Sequence, residues 1–333
     1  MTYLSGNSFG RPRLFDCLTQ AGSTNEVPRP SFRPLLGSLL ALASCSPNAS
    51  HPPSAAPLRP NAPAPAAEAS QYMLGLINRD RTAAGLSEVE LDPIASGGAE
   101  RHARDMAQRG FTAHWGSDGS VPEERYTDAG GADLVQENVA CLFDGVPRAL
   151  DPNPRFDPAL LEQLEQLFMD EVPPNDGHRR NILKPSHRRV GIGLAQPATV
   201  NQPCLAQEFV DDFGEFSALP REASRTATLH VAGELADTVQ FGAVGIGRIE
   251  PRTPKTAKQL NATSVYRIPE PETLYFPPGF KTPKPVRVDG QAFSIDVGLG
   301  PRPRPGRYEV SVWGKQPGQN ELFMLSLRTV VVK

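Results

Sequence analysis

Gly177-His178-Arg179-Arg180-Asn181-Ile182-Leu183 is the stretch on which the reading of this chain turns, because it closes an ordered series of short polar motifs. Upstream stand Phe111-Thr112-Ala113-His114-Trp115, Gln136-Glu137-Asn138-Val139-Ala140 and Met169-Asp170-Glu171. Downstream come Val190-Gly191-Ile192-Gly193 and Ala206-Gln207-Glu208-Phe209. The series carries two histidines and two glutamates: His114, Glu137, Glu171 and His178. Two neutral imidazoles and two carboxylates facing one cavity would form a divalent-cation site, with nitrogen and oxygen donors suiting zinc and water filling any open position.

The segments around these motifs read as alternating helices and strands. Tyr72, Met73, Leu76 and Ile77 recur at helical spacing from near Ala69, and Gly85 supplies a left-handed stop. Asp92-Pro93 opens a second helix, whose stripe of Ile94, Ala95, Ala99, Ala103 and Met106 ends at Gly110. Glu123 to Tyr126 predicts a short helical turn before Gly130-Gly131. A third long helix, from Pro158 to about Val172, groups Leu160, Leu161, Leu164, Leu167 and Phe168 on one face. It places Glu171 at an exposed end, and Pro173-Pro174 stops it. The stretch from Val190 and that from Leu205 to Val210 read as adjacent strands of a central antiparallel sheet.

Over roughly residues 71–213, this order of motifs resembles the CAP superfamily, the fold of cysteine-rich secretory proteins, antigen 5 and plant pathogenesis-related proteins, in its compact bacterial form. One such motif would be weak; five in the family's order, with Val190 to Gly193 and Ala206 to Phe209 taken together as one, are specific. The resemblance implies an α+β fold, a three-layer α-β-α sandwich, with a His/Glu/Glu/His set lining a solvent-filled cleft. Carried over residue by residue, that set is His114, Glu137, Glu171 and His178. His114 and His178 would ligate zinc or another divalent cation, with Glu137 and Glu171 as further candidates. Many bacterial members have a tryptophan-bearing helix and a serine before the last histidine, where this chain has Phe168-Met169-Asp170 and Pro173-Pro174-Asn175-Asp176. Asp170 or Asp176 could therefore replace Glu171.

Each candidate also has a purely structural reading. Glu137 could bond neighbouring backbone, His178 could cap the turn that follows it, and His114 could be a satisfied half-buried histidine. Asn181 reads as a structural hydrogen-bonder, and His102, near Asp105, as a surface or half-buried residue. Arg179, Arg180, Arg188 and Arg189 read as a solvated face rather than a phosphate site.

At 333 residues the chain has room for two domains. A net charge of -3 gives no global reason to expect nucleic acid as a partner. The 35 prolines concentrate at 28–65, 147–158 and 251–305, which excludes long helices there. Beyond Ser217 the pattern changes to short alternating strands, among them Ala227-Thr-Leu-His-Val-Ala, Ala292-Phe-Ser-Ile-Asp-Val, Arg307 to Trp313 and Leu325 to Val332. This predicts an all-β, immunoglobulin-like sandwich. The expected organisation is a leader at 1–45, a Pro/Ala-rich linker at 46–68 that cannot pack a core, a CAP domain at 69–216 and the β-sandwich at 217–333.

The leader carries the compartment signal. Leu35-Leu-Gly-Ser-Leu-Leu-Ala-Leu-Ala-Ser44-Cys45 is too short to span a bilayer and ends in small residues, as a signal peptide does. Its end resembles the bacterial lipobox, which implies acylation of Cys45 and a membrane anchor at the N-terminus. More than thirty residues precede the apolar run, so a true start near Val27 is expected, with Arg29 and Arg33 as the basic n-region. Without Cys17 and Cys45, Cys141 and Cys204 remain as an even pair in an oxidising compartment, either disulfide-bonded or as two buried thiols.

Function divides three ways. CAP proteins are associated with lipid, sterol or glycan binding, and no Ser or Cys here sits in a motif that would activate it. The favoured expectation is an exported, lipid-anchored protein whose cleft holds a divalent metal and an envelope lipid, glycan or protein ligand. The alternative is a metal-dependent, peptidase-like hydrolase using the same cleft, with a glutamate as base. In a third reading the first domain is a spacer and the sandwich carries adhesion.

Overall fold

The computed structural model describes residues 58–263, 267–300 and 302–333. The expectations for the leader, Cys45 and most of the linker lie outside the described residues. In chain order, the first part runs β1 (Ala64–Pro65), α1 (Ala66–Ala83), β2 (Glu90–Leu91), α2 (Pro93–Arg109), α3 (Pro122–Ala129), β3 (Val135–Ala140), β4 (Arg155–Phe156), α4 (Pro158–Met169), α5 (Gly177–Ile182), β5 (His187–Ala195) and β6 (Cys204–Asp211).

Local chemistry sets the helix ends. Asp92 accepts hydrogen bonds from the amides of Ile94 and Ala95 at the start of α2, and Gly110 closes that helix in the left-handed region at φ 67°. Asp157 caps α4 in the same way through the Ala159 amide. Helix α4 stops at Met169, short of the predicted end, because the chain turns through an isolated bridge between Val172 and Asn175 and a cis Pro173-Pro174 peptide. Ile94 and Leu167, expected on apolar stripes, stand at the rims of their helices and are 37% and 40% exposed.

The sheet of this part has the order β2-β5-β6-β3. β5–β6 and β3–β6 are antiparallel, but the edge strand β2 runs parallel to β5, so the sheet is mixed rather than antiparallel throughout. Successive residues of a strand face opposite sides. Val190, Ile192, Leu194, Leu205 and Phe209 share a core with Tyr72, Met73, Leu76 and Ile77 of α1 and Leu161, Leu164 and Phe168 of α4. On the other side, Gly191 and Gly193 let the backbone of α2 at Ala95 and Ala99 lie directly on the sheet; a Cβ at either glycine would collide with it. A disulfide joins Cys141, just after β3, to Cys204 at the start of β6.

The remaining chain runs β7 (Gly214–Phe216), β8 (Glu222–Ala223), β9 (Thr228–Leu235), β10 (Gln240–Ile249), α6 (Ala257–Asn261), β11 (Thr273–Tyr275), β12 (Arg287–Asp289), β13 (Ala292–Gly298), β14 (Gly306–Lys315) and β15 (Phe323–Val332). These strands form one sheet of order β11-β10-β14-β15-β8 and a second of order β12-β13-β9-β7. Leu229 and Val231 from β9, Ile295 and Val297 from β13, Val244 and Ile246 from β10, and Val310 and Val312 from β14 meet in one apolar core. Strand β10 has no counterpart among the predicted strands, because its five apolar residues are broken up by three glycines and carry neither strict alternation nor a β-branched run.

One segment of this second part leaves it and lies along the first. Within residues 251–263, Arg252 pairs with Glu124 and Asp128, and the Lys255 amide bonds the Ser117 carbonyl at 2.8 Å. Leu260 is buried in the cluster of Ala99, Ala103 and Met106. Asn261 accepts from the Thr112 amide and donates to the carbonyls of Gly110 and Phe143. Among the described residues, no helix is long and apolar enough to cross a membrane.

Candidate functional site

The turn at Gly110 ends α2 and sends a short loop toward β3. Thr112 anchors it through the Cys141 carbonyl, the Ala113 carbonyl lies 2.7 Å from His102 Nε2, and the His114 carbonyl accepts from Arg125 at 3.0 Å. With the backbone held on both sides, the His114 ring sets Nδ1 2.8 Å from Glu137 Oε1. The other oxygen of Glu137 accepts from Arg125 at 2.6 Å. Glu137 is buried on β3 rather than bonding local backbone. Burial alone would raise its pKa, but Arg125, His102 and His114 together hold it well below the usual carboxylate range.

The second pair forms around the turn after α4. Glu171 is buried, not at an exposed helix end, and its Oε1 lies 2.5 Å from His178 Nδ1. Its Oε2 accepts from the His178 amide at 2.8 Å, so one carboxylate fixes both the backbone and the ring of that residue. Phe168 stacks on the His178 ring with centroids 4.6 Å apart. Neither predicted substitute takes this place: Asp170 accepts from Gln166, and Asp176 lies by Arg180.

Asn138, next to Glu137 on β3, joins the two pairs. Its Nδ2 donates to the His178 carbonyl at 3.2 Å and to Gln207 Oε1 at 3.1 Å, and its Oδ1 accepts from Asn181 at 2.9 Å. All four residues expected from the sequence are thus arranged in two His–Glu pairs linked through one asparagine.

Residues 74–205 match the cysteine-rich secretory protein family, CAP. No curated protein matches the sequence. Two solved structures are similar over part of the chain. One is an extracellular protein containing an SCP domain from Bacillus anthracis, 19% identical, with 45% of each chain covered and a TM-score of 0.32. The other is an outer surface protein from Borrelia burgdorferi, 14% identical, covering 43% of this chain and 92% of that one, with a TM-score of 0.34. The present chain therefore covers less than half the length of the Bacillus protein.

Beneath the CAP-region pairs runs a buried polar chain that the motifs did not reveal. Glu165 accepts from Gln207, Gln207 from Asn138, and Asn138 from Asn181, whose Oδ1 lies 2.9 Å from His187 Nε2. His187 Nδ1 is in turn 2.9 Å from Asp211 Oδ1. Burial pushes Glu165 up to about 8, and burial lowers His187 to about 4 despite Asp211. The signal in the sequence was Gln207-Glu208 inside an apolar strand: with one residue on each face, both are buried, and Gln207 finds hydrogen-bond partners while Glu208 has only Arg125, 3.9 Å away.

Two further residues of the CAP region, His102 and Arg189, differ from their sequence reading, and a third, Arg125, carried no reading of its own. His102 is fully buried, not at the surface, and burial together with Arg125 lowers it to about 4. Arg125, in the predicted short helical turn, belongs to Glu137, with Glu208 3.9 Å away. Arg189 bridges Asp92 and Asp133 at 2.6 and 2.8 Å, while Arg179, Arg180 and Arg188 are exposed.

Both glutamates of the site spend their oxygens on protein donors, so an imidazole that meets a cation would do so through Nε2. Among the described residues, no group of three or more His, Cys, Asp or Glu side chains is arranged to hold a metal ion.

Proposed function

We propose that this is an exported CAP-domain protein of the cell envelope, tethered through Cys45, whose His114/His178 cleft binds a lipid, glycan or other small ligand, with residues 217–333 as a second, β-rich unit. The observation that carries this reading is the pair of imidazoles whose Nδ1 atoms are each held by a buried glutamate. A carboxylate on Nδ1 fixes the tautomer and aims the opposite nitrogen outward, the arrangement by which protein histidines are prepared for a cation or a polar ligand.

Zinc or another divalent cation is the ion that imidazole and carboxylate donors of this kind would suit. His114 and His178 would hold it, and Glu137 and Glu171 would orient them; two protein ligands leave the other positions to water or to the ligand's own oxygens. Bound there, the ion would supply a Lewis acid and an attachment point for an oxygen-rich group. Among the described residues, no activated serine or cysteine accompanies the pairs, which favours binding over covalent catalysis.

The test is zinc content and zinc titration calorimetry on the wild-type protein and the His114→Ala/His178→Ala double variant. Stoichiometric zinc lost in the variant supports the proposal. Absence of zinc from both removes the metal and leaves a polar ligand cleft. Peptide turnover abolished by His114→Ala would favour a hydrolase instead.

A further inference from the structure

The two histidines of the site are held from different parts of the chain. The contacts that fix His178 come from Phe168, Glu171 and Asn138, all inside residues 74–205. His114 is held from outside that range as well. Residues 251–263 run along the 110–119 loop in the opposite direction and meet it at three places. The Thr253 backbone lies so close to Gly119 that a Cβ on that glycine would stand 2.5 Å from the Thr253 carbonyl oxygen. The Lys255 amide donates to the Ser117 carbonyl at 2.8 Å, and its ammonium lies over the Trp115 ring. Asn261 closes the far end, at Thr112.

Of these contacts, that of Asn261 has the most direct line to the imidazole. Its Oδ1 accepts from the Thr112 amide at 3.0 Å, while Nδ2 donates to the carbonyls of Gly110 at 3.1 Å and Phe143 at 2.9 Å. One side-chain amide, with an acceptor and two donors, thus ties the end of α2 to the loop that follows β3. Thr112 stands two residues before His114, and its hydroxyl donates to the carbonyl of Cys141, just beyond the strand that carries Glu137. Asn261 is itself held in place. Leu260 is buried in one cluster with Met106, Phe111 and Ala113, and the Thr256 hydroxyl caps the short helix that carries both residues. Removing the Asn261 side chain would take the acceptor from the Thr112 amide and a donor from two carbonyls. Backbone groups that lose their partners favour conformations that find new ones.

We propose that Asn261 is a positioning residue for His114: by fixing the backbone at Thr112 it sets the bond from His114 Nδ1 to Glu137, so that the β-rich unit controls one imidazole of the cleft and not the other. The inference rests on the reading of the His114/His178 cleft as the functional site. It adds a direction of control to that reading. A partner that engages residues 251–263, or a change in the β-rich unit that displaces them, acts on the His114–Glu137 pair and leaves the His178–Glu171 pair as it is. The coupling needs no long pathway, because a single side chain spans the two units.

The experiment is NMR of the full chain with isotope-labelled histidine rings, as wild type, Asn261→Ala and Lys258→Ala, the last an exposed position on the same short helix. For each ring it reads which nitrogen carries the proton and how fast that proton exchanges with water. In Asn261→Ala the His114 Nδ1 proton should exchange at least about tenfold faster, the factor that the loss of one ordinary hydrogen bond corresponds to. The His178 ring should be unchanged, and Lys258→Ala should match the wild type. Thermal unfolding shows whether Asn261→Ala is folded, and amide hydrogen exchange of the wild type is a measure that needs no variant. As denaturant is raised, the Thr112 amide should open in the same step as the amides of Lys255 and Leu260, and the His178 amide in a different one. Neither measurement uses zinc or a ligand, so a failed metal titration and a failure of this inference are told apart. An unchanged His114 ring in folded Asn261→Ala, equal loosening of both rings, or a Thr112 amide still protected after Lys255 and Leu260 have opened would overturn the proposal.

Discussion

Glu137 and Glu208 stand directly opposite one another in the β3–β6 ladder, and Arg125 reaches both, at 2.6 Å from the first and 3.9 Å from the second. One cation cannot neutralise two buried carboxylates, so the pair divides into unequal roles. Glu137 is the ionised partner. Glu208 makes no hydrogen bond through either oxygen, and burial raises its pKa well above the ordinary value, which favours the neutral acid.

Opposite outcomes are expected from the same substitution at these two positions. Glu137→Gln strands the Arg125 guanidinium and releases the His114 ring, and should cost roughly 3–5 kcal/mol, the range for removing one partner of a buried ion pair. Glu208→Gln replaces a neutral acid with a neutral amide and should change stability by about 1 kcal/mol or less at neutral pH. Urea unfolding of both variants reads the difference; equal destabilisation would contradict the assignment.

Glu165 makes stability depend on pH in a defined direction. Its folded pKa, about 8, lies above its ordinary value of 4.5. Below pH 4.5 both states hold the proton; above it the unfolded chain gives the proton up while the folded protein keeps it. Stability is therefore lost as pH rises from about 4.5 to about 8, on the order of 1 kcal/mol per pH unit from this one group. Glu165→Gln should remove that slope, and unfolding midpoints of the two proteins at pH 5, 6.5 and 8 should diverge steadily.

Gly193 is the position where a single carbon is least tolerated. A Cβ there meets the backbone of α2 at Ala99, and no side-chain rotation relieves the overlap. Gly193→Val should cost about 3 kcal/mol, at the upper end of core overpacking. A thermal midpoint within a degree or two of wild type would show that α2 can ride up on the sheet at little cost.

The Cys141–Cys204 bond closes a loop with a sequence separation of 63. Chain-entropy arguments place the stabilisation from such a loop at about 4 kcal/mol. Cys141→Ser/Cys204→Ala should lower the thermal midpoint, and a reducing agent should shift the wild type toward the variant while leaving the variant unmoved.

Much of the candidate site was legible because each residue sits in a short motif whose neighbours also have local duties. The caps at Asp92 and Gly110 and the four His and Glu residues fall in this class. Arg125 and His102 did not, because a polar residue on a helix looks the same in sequence whether it faces water or a carboxylate on a strand further along the chain. Glu171 was read one turn too helical: its motif was visible, but the bridge from Val172 to Asn175 that ends α4 early is a tertiary feature. Strand β10 was hidden by its glycines, whose role is close contact with neighbouring strands and loops rather than a pattern of side chains.

Asn261 bonds the Thr112 amide at a sequence separation of 149, and Leu260 fills a socket among residues of α2. A nascent chain emerging N-terminus first would thus carry the motifs of residues 110–178 long before the segment that fastens the His114 loop has been synthesised. Until that segment arrives, the loop lacks its outer fastening and the Leu260 socket faces solvent. Emergence of residues 251–263, rather than completion of residues 74–205, sets the moment at which this site can take its final shape.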